Sequence, residues 1–221
     1  MSIFAELDVD YDDTPRSAAI NMAIDEALLE IAEIPSIRFY RWDSPALSFG
    51  YFGKFVDVAS YATQRDVVRR WTGGGIVFHG NDLTYSVIIP ASAELFSAAV
   101  RSIYAAIHSG LRDALTAQGE HAVLADGRQE KVSESCFANP VRSDVILNGR
   151  KVAGAAQRRT RGGLLHQGSI QYVDLANGLA KRFARELCDA PCERSLAEAV
   201  VERARQIAEQ KYSTAAWLRR R

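Results

Sequence analysis

The chain has 221 residues, 48% of them apolar, and its 27 basic side chains are balanced by 27 acidic ones. That length and apolar content support one sizeable core, and the charge balance argues against a strongly basic nucleic-acid binder. The start lacks the basic flank and apolar run of a signal peptide, and no window reaches the roughly eighteen apolar residues of a membrane span. Cys136, Cys188 and Cys192 make neither a disulfide framework nor a metal claw, so a reducing, cytoplasmic setting is expected.

In chain order, residues 4–10 read as a short strand. Asp13 or Thr14 then caps a helix with Pro15 in its first turn. Ile20, Ala23, Ile24, Ala27, Leu28 and Ile31 share the apolar face of that helix. Aromatic-rich strands are expected at residues 37–42 and 46–52, parted by the turn signal Asp43-Ser44-Pro45. A short helix near residues 57–64 follows. Next comes Arg69-Arg70-Trp71-Thr72-Gly73-Gly74-Gly75, leading into the apolar run of residues 76–78. Consecutive glycines turn the chain with no Cβ in the way and leave backbone N–H groups free, just after two arginines. That arrangement suits an anion or a polarised acyl carbonyl, although many such turns only redirect the chain.

Residues 83–89 form another strand. Over residues 94–117 a long amphipathic helix places Leu95, Ala99, Ile103, Ile107, Leu111 and Leu115 on one side. After a strand near 121–125, residues 126–140 turn polar and read as a mobile loop. Residues 145–147, Asn148-Gly149 and residues 150–157 spell a hairpin with a tight primed turn. A strand at 163–173, helices at 175–188 and 195–210, and a last turn at 214–220 complete the chain. Arg219-Arg220-Arg221 reads as a solvated tail. Clustered strands with helices between and after them indicate an α+β class with a mixed or antiparallel sheet, in one domain over residues 1–221.

Several residues could carry chemistry. Cys136 sits in the polar stretch, where a thiol is either inert or, beside a cation, a nucleophile. Lys151 opens the second hairpin strand, as that cation or as a solvated residue beside a turn. Residues 149–157 are rich in small side chains, and Gly154 within a strand marks close approach of a ligand or another backbone, or a bulge. His79 and His166 each read more readily as structural. No Ser-His-Asp set, metal-spaced cluster or Walker loop is visible.

Taken together, Asn21-Met22-Ala23-Ile24-Asp25-Glu26-Ala27-Leu28, Arg38-Phe39-Tyr40, Leu47-Ser48-Phe49-Gly50-Tyr51-Phe52, the Arg69-Arg70 to Gly75 stretch, Leu83-Thr84-Tyr85-Ser86, residues 149–157 and His166-Gln167-Gly168-Ser169-Ile170 form a recognisable series. Over roughly residues 15–175 the chain resembles the lipoate-protein ligase A and octanoyltransferase superfamily, whose fold is related to the biotin protein ligase catalytic domain. It is most similar to LipM-type octanoyltransferases, through Cys136-Phe137 ahead of the hairpin. The resemblance implies that Cys136 takes an octanoyl group from acyl carrier protein. The group then passes to a lysine of a lipoyl domain, such as glycine cleavage H protein or a 2-oxoacid dehydrogenase E2. It also implies that Lys151 polarises the acyl carbonyl. Gly73, Gly74, Gly75, His79, Gly154, Ala155 and Gln157 would line the acyl tunnel, with Arg69 and Arg70 behind the Gly-rich turn. The transferase needs no cofactor and acts with neither nucleic acid nor membrane. Gly75 and Asp144 are closer to the ATP-using ligases, which work through lipoyl-AMP with magnesium. Such ligases usually carry a C-terminal accessory domain, which is not expected here.

Overall fold

The computed structural model describes residues 2–127, 139–175 and 178–220. Among them two sheets are built. The larger has eight strands in the order β11-β1-β2-β6-β10-β9-β8-β7. Its members are β1 (Asp8–Arg16), β2 (Ser36–Trp42), β6 (Leu83–Pro90), β7 (Ala122–Leu124), β8 (Val145–Leu147), β9 (Arg150–Arg159), β10 (Gly163–Ile170) and β11 (Cys192–Glu193). β1 runs parallel to β2 and β11, while every other pairing is antiparallel, so the sheet is mixed. The smaller sheet places β3 (Ala46–Phe49) between β4 (Asp66–Arg69) and β5 (Val77–His79). The expected α+β class with mixed and antiparallel sheets is the observed one.

Helices cover the large sheet. α2 (Val100–Thr116) and α3 (Leu179–Leu187) bury Ile103, Ile107, Leu111, Phe183 and Leu187 against Phe39, Tyr85 and Val87. α1 (Ala18–Ile31) packs in a second cluster with α4 (Glu198–Ile207) and the π-helical turn Ala208–Tyr212. α5 (Ala215–Leu218) ends the described chain. Burying these side chains is the dominant stabilising term, on the order of 2 kcal/mol for each fully enclosed aliphatic or aromatic residue.

Beneath α1 lies a buried polar knot. The guanidinium of Arg38 donates to Asp12 Oδ2 at 2.7 Å, Asp25 Oδ1 at 3.1 Å and Asn21 Oδ1 at 2.7 Å. Asp25 also accepts from Tyr40, Ser86 and Gln167. Removing Arg38 would leave buried Asp25 with neutral donors alone and Asp12 with only Arg16 as a cationic partner, at a cost in stability.

This knot explains the first departure from the sequence reading. The strand expected at residues 4–10 starts only at Asp8 and runs on through Pro15 to Arg16, with Asp12 brought beside Arg38 by pairing with β2. Asp13 and Thr14 are therefore strand residues, and Ser17 takes the helix N-cap without a side-chain cap bond. Ile31 is 59% exposed, since α1 ends as the chain leaves the core. The strand expected at 46–52 stops at Phe49, and two 3₁₀ turns, Phe55–Asp57 and Ala59–Tyr61, replace the helix near 57–64. Residues 94–117 split into a 3₁₀ turn, Glu94–Ser97, and α2. The hairpin matches its reading: Asn148 and Gly149 have φ of 50° and 75°, as a primed turn requires.

The Arg219 and Arg220 side chains are exposed, as a solvated end implies, but the backbone that carries them is tied to the fold. Arg69, 1% exposed, donates to the carbonyls of Tyr51, Gly53, Trp217, Leu218 and Arg220, and the Arg220 guanidinium lies 4.4 Å from the Tyr51 ring centre. Replacing Arg69 with Met removes the guanidinium that these part-buried carbonyls share. It is expected to destabilise by about 2–4 kcal/mol and to make residues 213–220 the first site of limited proteolysis. An unchanged unfolding midpoint would contradict this role.

Asp10 offers a pH test. Its Oδ2 has no hydrogen-bond partner among the described residues, and burial, followed by repulsion from Asp12, raises its pKa from 3.8 to about 6. The fold prefers the protonated acid, so Asp10 supports stability below about pH 4 and loses that support as pH rises through about 6. Asp10→Asn is expected to stabilise by about 1 kcal/mol at pH 7, discounted for partial exposure, and by nothing at pH 4. Equal effects at both pH values in denaturant titrations would contradict the assignment.

Candidate active site

The hairpin sets the position of Lys151. Between β8 and β9 the register slips: Ile146 faces Lys151, yet Val145 faces Ala153. The extra residue, Val152, is a β-bulge. Val152 and Ala153 both enter the core, and Lys151 and Gly154 are brought onto one face. A Cβ on Gly154 would collide with Cε and Nζ of Lys151. The close approach that glycine marks in this strand is thus made by the chain's own ammonium group.

Lys151 is buried, 9% exposed, rather than solvated. Its Nζ lies 2.8 Å from Asp144 Oδ2, and Asp144 further accepts from the Tyr104 hydroxyl and, at 2.7 Å, from the Val141 N–H. Behind Asp144 runs a directional chain: Gln157 Nε2 to His166 Nδ1 at 3.0 Å, His166 to the Tyr85 hydroxyl, Tyr85 to His108, and His108 Nδ1–H to the Ser143 carbonyl at 2.7 Å. Ser143 has φ of 70°, and this chain holds it there. Burial lowers the His108 pKa to about 4 and that of His166 well below the usual value, so both rings are neutral as the chain requires.

The Gly-rich turn joins β4 to β5 and faces Lys151 across a narrow slot of about 60 Å³. Met22, Trp42, Val77, Ala155 and Ala156 give the slot apolar walls, with Lys151, Ser48, Arg70, His79 and Gln167 among its polar points. Arg70 Nη2 donates to the carbonyls of Gly73 at 3.0 Å and Gly75 at 2.8 Å, and its Nη1 donates to Ser48 Oγ at 2.7 Å. Gly50 sits so close to the Gly74 carbonyl that any Cβ there would overlap it, and Gly74 has φ of +80°. Thr72 Oγ1 donates to Gln167 Oε1 at 2.7 Å, tying the turn to Asp25 and the Arg38 knot. A second cavity of about 760 Å³, lined by Gly73, Arg101, Tyr104, Arg142 and Gln157, shares Gly74, Ala155 and Ala156 with the slot.

Of the residues expected from the sequence, Arg70, Gly74, Gly75, His79, Lys151, Gly154 and Ala155 line the slot. Gly73 and Gln157 line the adjoining cavity instead. Arg69 does neither; it points to the C-terminal turn because its donors are taken by carbonyls there. Cys136 lies outside the described residues. A Ser-His-Asp set, invisible in the sequence, is present in space. Ser48 Oγ lies 2.7 Å from His79 Nε2, and His79 Nδ1 lies 2.7 Å from Asp82 Oδ2. The only cue was one polar residue in the apolar run Leu47-Ser48-Phe49. Among the described residues no group of three or more His, Cys, Asp or Glu could hold a metal ion, and no helix is long and apolar enough to cross a membrane.

Known proteins agree with this geometry. Over 172 residues the chain is 40% identical to an octanoyltransferase LipM of Oceanobacillus iheyensis, covering 72% of this chain and 62% of that protein. It is 39% identical to the octanoyltransferase LipM of Bacillus subtilis over 170 residues, covering 70% and 61%. The chain thus spans about three-fifths of the length of these relatives. Among solved structures, a lipoate-protein ligase A bound with ATP superposes with a TM-score of 0.75 at 21% identity, covering 99% of this chain and 98% of that one. A bi-partite lipoate protein ligase of Thermoplasma acidophilum, described with its E2 lipoyl domain, gives 0.73 at 20%, covering 98% and 96%. These two likenesses establish the fold. The model of the lipoyl protein ligase A/B catalytic domain matches residues 17–207, and the chain belongs to that family.

Proposed function

We propose that the chain is an acyltransferase that moves an octanoyl group from acyl carrier protein to a lipoyl-domain lysine through a thioester on Cys136. The observation that carries this reading is the buried ammonium of Lys151, held by Asp144 in an apolar slot walled by glycine backbone. A cation held in such a place is screened by water less than an exposed one, and its carboxylate partner fixes its aim at a carbonyl oxygen or a thiolate. The identity of about 40% to octanoyltransferases over some 70% of the chain favours thioester chemistry over adenylation.

In the first half-reaction the Cys136 thiolate attacks the donor thioester and the carrier's thiol leaves. In the second, the neutral amine of the acceptor lysine attacks the Cys136 thioester, sheds a proton, and the thiolate departs. Lys151 stabilises charge on the carbonyl oxygen in both, which is why it must be aimed and dry. The slot takes an extended alkyl chain, and the adjoining cavity with Arg101 and Arg142 takes the donor's polar arm. The route needs no nucleotide or metal. A free thiol nucleophile also calls for a reducing compartment such as the cytoplasm.

The test uses octanoyl-acyl carrier protein and an apo lipoyl domain, with acceptor mass as the readout. Transfer is expected without ATP and is expected to fall about a thousand-fold or more in Cys136→Ala. Modification only from free octanoate or lipoate with ATP and magnesium would overturn the proposal in favour of the ligase reaction.

Gly154→Ala tests the aim of the lysine. Its methyl would displace the ammonium, so kcat is expected to fall about a hundred-fold while the unfolding midpoint drops only a few degrees. Wild-type kcat in that variant would mean that the position of Lys151 is unimportant.

A further inference from the structure

The Ser48, His79, Asp82 and Arg70 side chains form one uninterrupted hydrogen-bonded line that ends on the backbone of the Gly-rich turn. Asp82 anchors it, accepting from His79 Nδ1 at 2.7 Å, Ser169 Oγ at 2.7 Å, Thr84 Oγ1 at 2.9 Å and the Gly80 N–H at 3.0 Å. A carboxylate only accepts, so His79 carries its proton on Nδ1 and offers Nε2 as an acceptor. Ser48 therefore donates to His79, which leaves its oxygen to accept from Arg70. Burial holds the His79 pKa below its usual value, consistent with the neutral ring. The Trp42 ring, stacked 4.1 Å from His79 and hydrogen-bonded to Thr84, closes the arrangement from the other side.

This line fixes a direction. Arg70 captures the Gly73 carbonyl, and in a trans peptide the N–H points opposite to the C=O of the same plane. The Gly74 N–H is thereby turned away from Arg70. Gly74 lines the slot with Lys151, and among the described residues no acceptor takes its N–H. Gly50 has no Cβ to displace the Gly74 carbonyl, so the next plane is held from the opposite side.

We infer that the Gly74 N–H is an oxyanion donor to the acyl carbonyl, and that Asp82, His79 and Ser48 are positioning residues that aim it through Arg70. The inference rests on the acyl-transfer reading only in taking the slot to hold an acyl group. The oxygen that becomes negative on nucleophilic attack meets two donors, the Lys151 ammonium and this N–H. Loss of one such donor typically lowers kcat by about 10²–10³-fold, and a misaimed donor costs part of that.

Two measurements test it. In amide-resolved NMR of the uniformly ¹⁵N-labelled chain, octanoate serves as the probe, its carboxylate standing in for the oxyanion. Saturating octanoate is expected to move the Gly74 amide proton downfield in the wild type, and this response is lost in Ser48→Ala, whose other slot amides still shift. In steady-state transfer, Ser48→Ala and His79→Ala are each expected to lower kcat about 10- to 100-fold, with KM for the octanoyl donor changed less than about threefold. The double variant falls no further than either single one, and His79→Gln, which keeps an acceptor for Ser48, recovers part of the loss. A Gly74 amide that octanoate leaves unmoved, or full kcat in Ser48→Ala, overturns the inference. So does an octanoyl ester found on Ser48, which would make that hydroxyl a nucleophile. Octanoate binding requires neither Cys136 nor ATP, so a Gly74 response without transfer from the carrier protein sinks the transferase reading alone.

Discussion

One guanidinium, that of Arg70, holds the Gly-rich turn in the shape the site needs. Three glycines in succession have no side chains to specify a conformation, and fixing them costs more backbone entropy than fixing any other residue type. Two carbonyls bound to Nη2 and one hydroxyl bound to Nη1 reduce that freedom to a single arrangement. Because the guanidinium is spent on the protein's own oxygens, Arg70 is a brace and not a free charge for substrate. The other cation of the slot is the ammonium of Lys151, paired with Asp144.

The site is built from neutral rings around a few charges. His79, His108 and His166 are all buried, and all have pKa values pushed down by burial. Each therefore accepts on one nitrogen and donates on the other, and so passes direction along a chain of hydrogen bonds. One chain ends on the Gly-rich turn, which lines the slot, and the other on the Ser143–Asp144 bend, whose carboxylate holds Lys151. The turn and the ammonium are thus positioned by separate hydrogen-bond chains.

Local signals survived folding where local chemistry decides. Asn148-Gly149 reads as a primed turn because few other residues tolerate positive φ there, and α2 reads as a helix because its apolar spacing suits burial against the sheet. The boundary of β1 was not legible, since what carries a strand through Pro15 is a salt bridge to Arg38, distant in sequence. The same reason hides the Ser48–His79–Asp82 line. Ser48 and His79 meet only because β3 and β5 pair antiparallel, with Ala46 facing His79. Arg69 and Arg70 look alike in sequence, yet alternate strand positions send one to the C-terminal turn and the other to the Gly-rich turn. Family resemblance singled out Lys151, whose position beside a turn suggests exposure and whose bulge buries it.

The account depends above all on an acyl group resting covalently on the chain between donor and acceptor. The most direct measurement is therefore isolation of the enzyme after a single turnover with octanoyl-acyl carrier protein, with neither acceptor nor ATP, followed by peptide mass mapping. An octanoyl thioester on Cys136, formed at least as fast as overall transfer and released by an added apo lipoyl domain, is the expected result. An enzyme that transfers the octanoyl group while never carrying it on Cys136 would contradict the account.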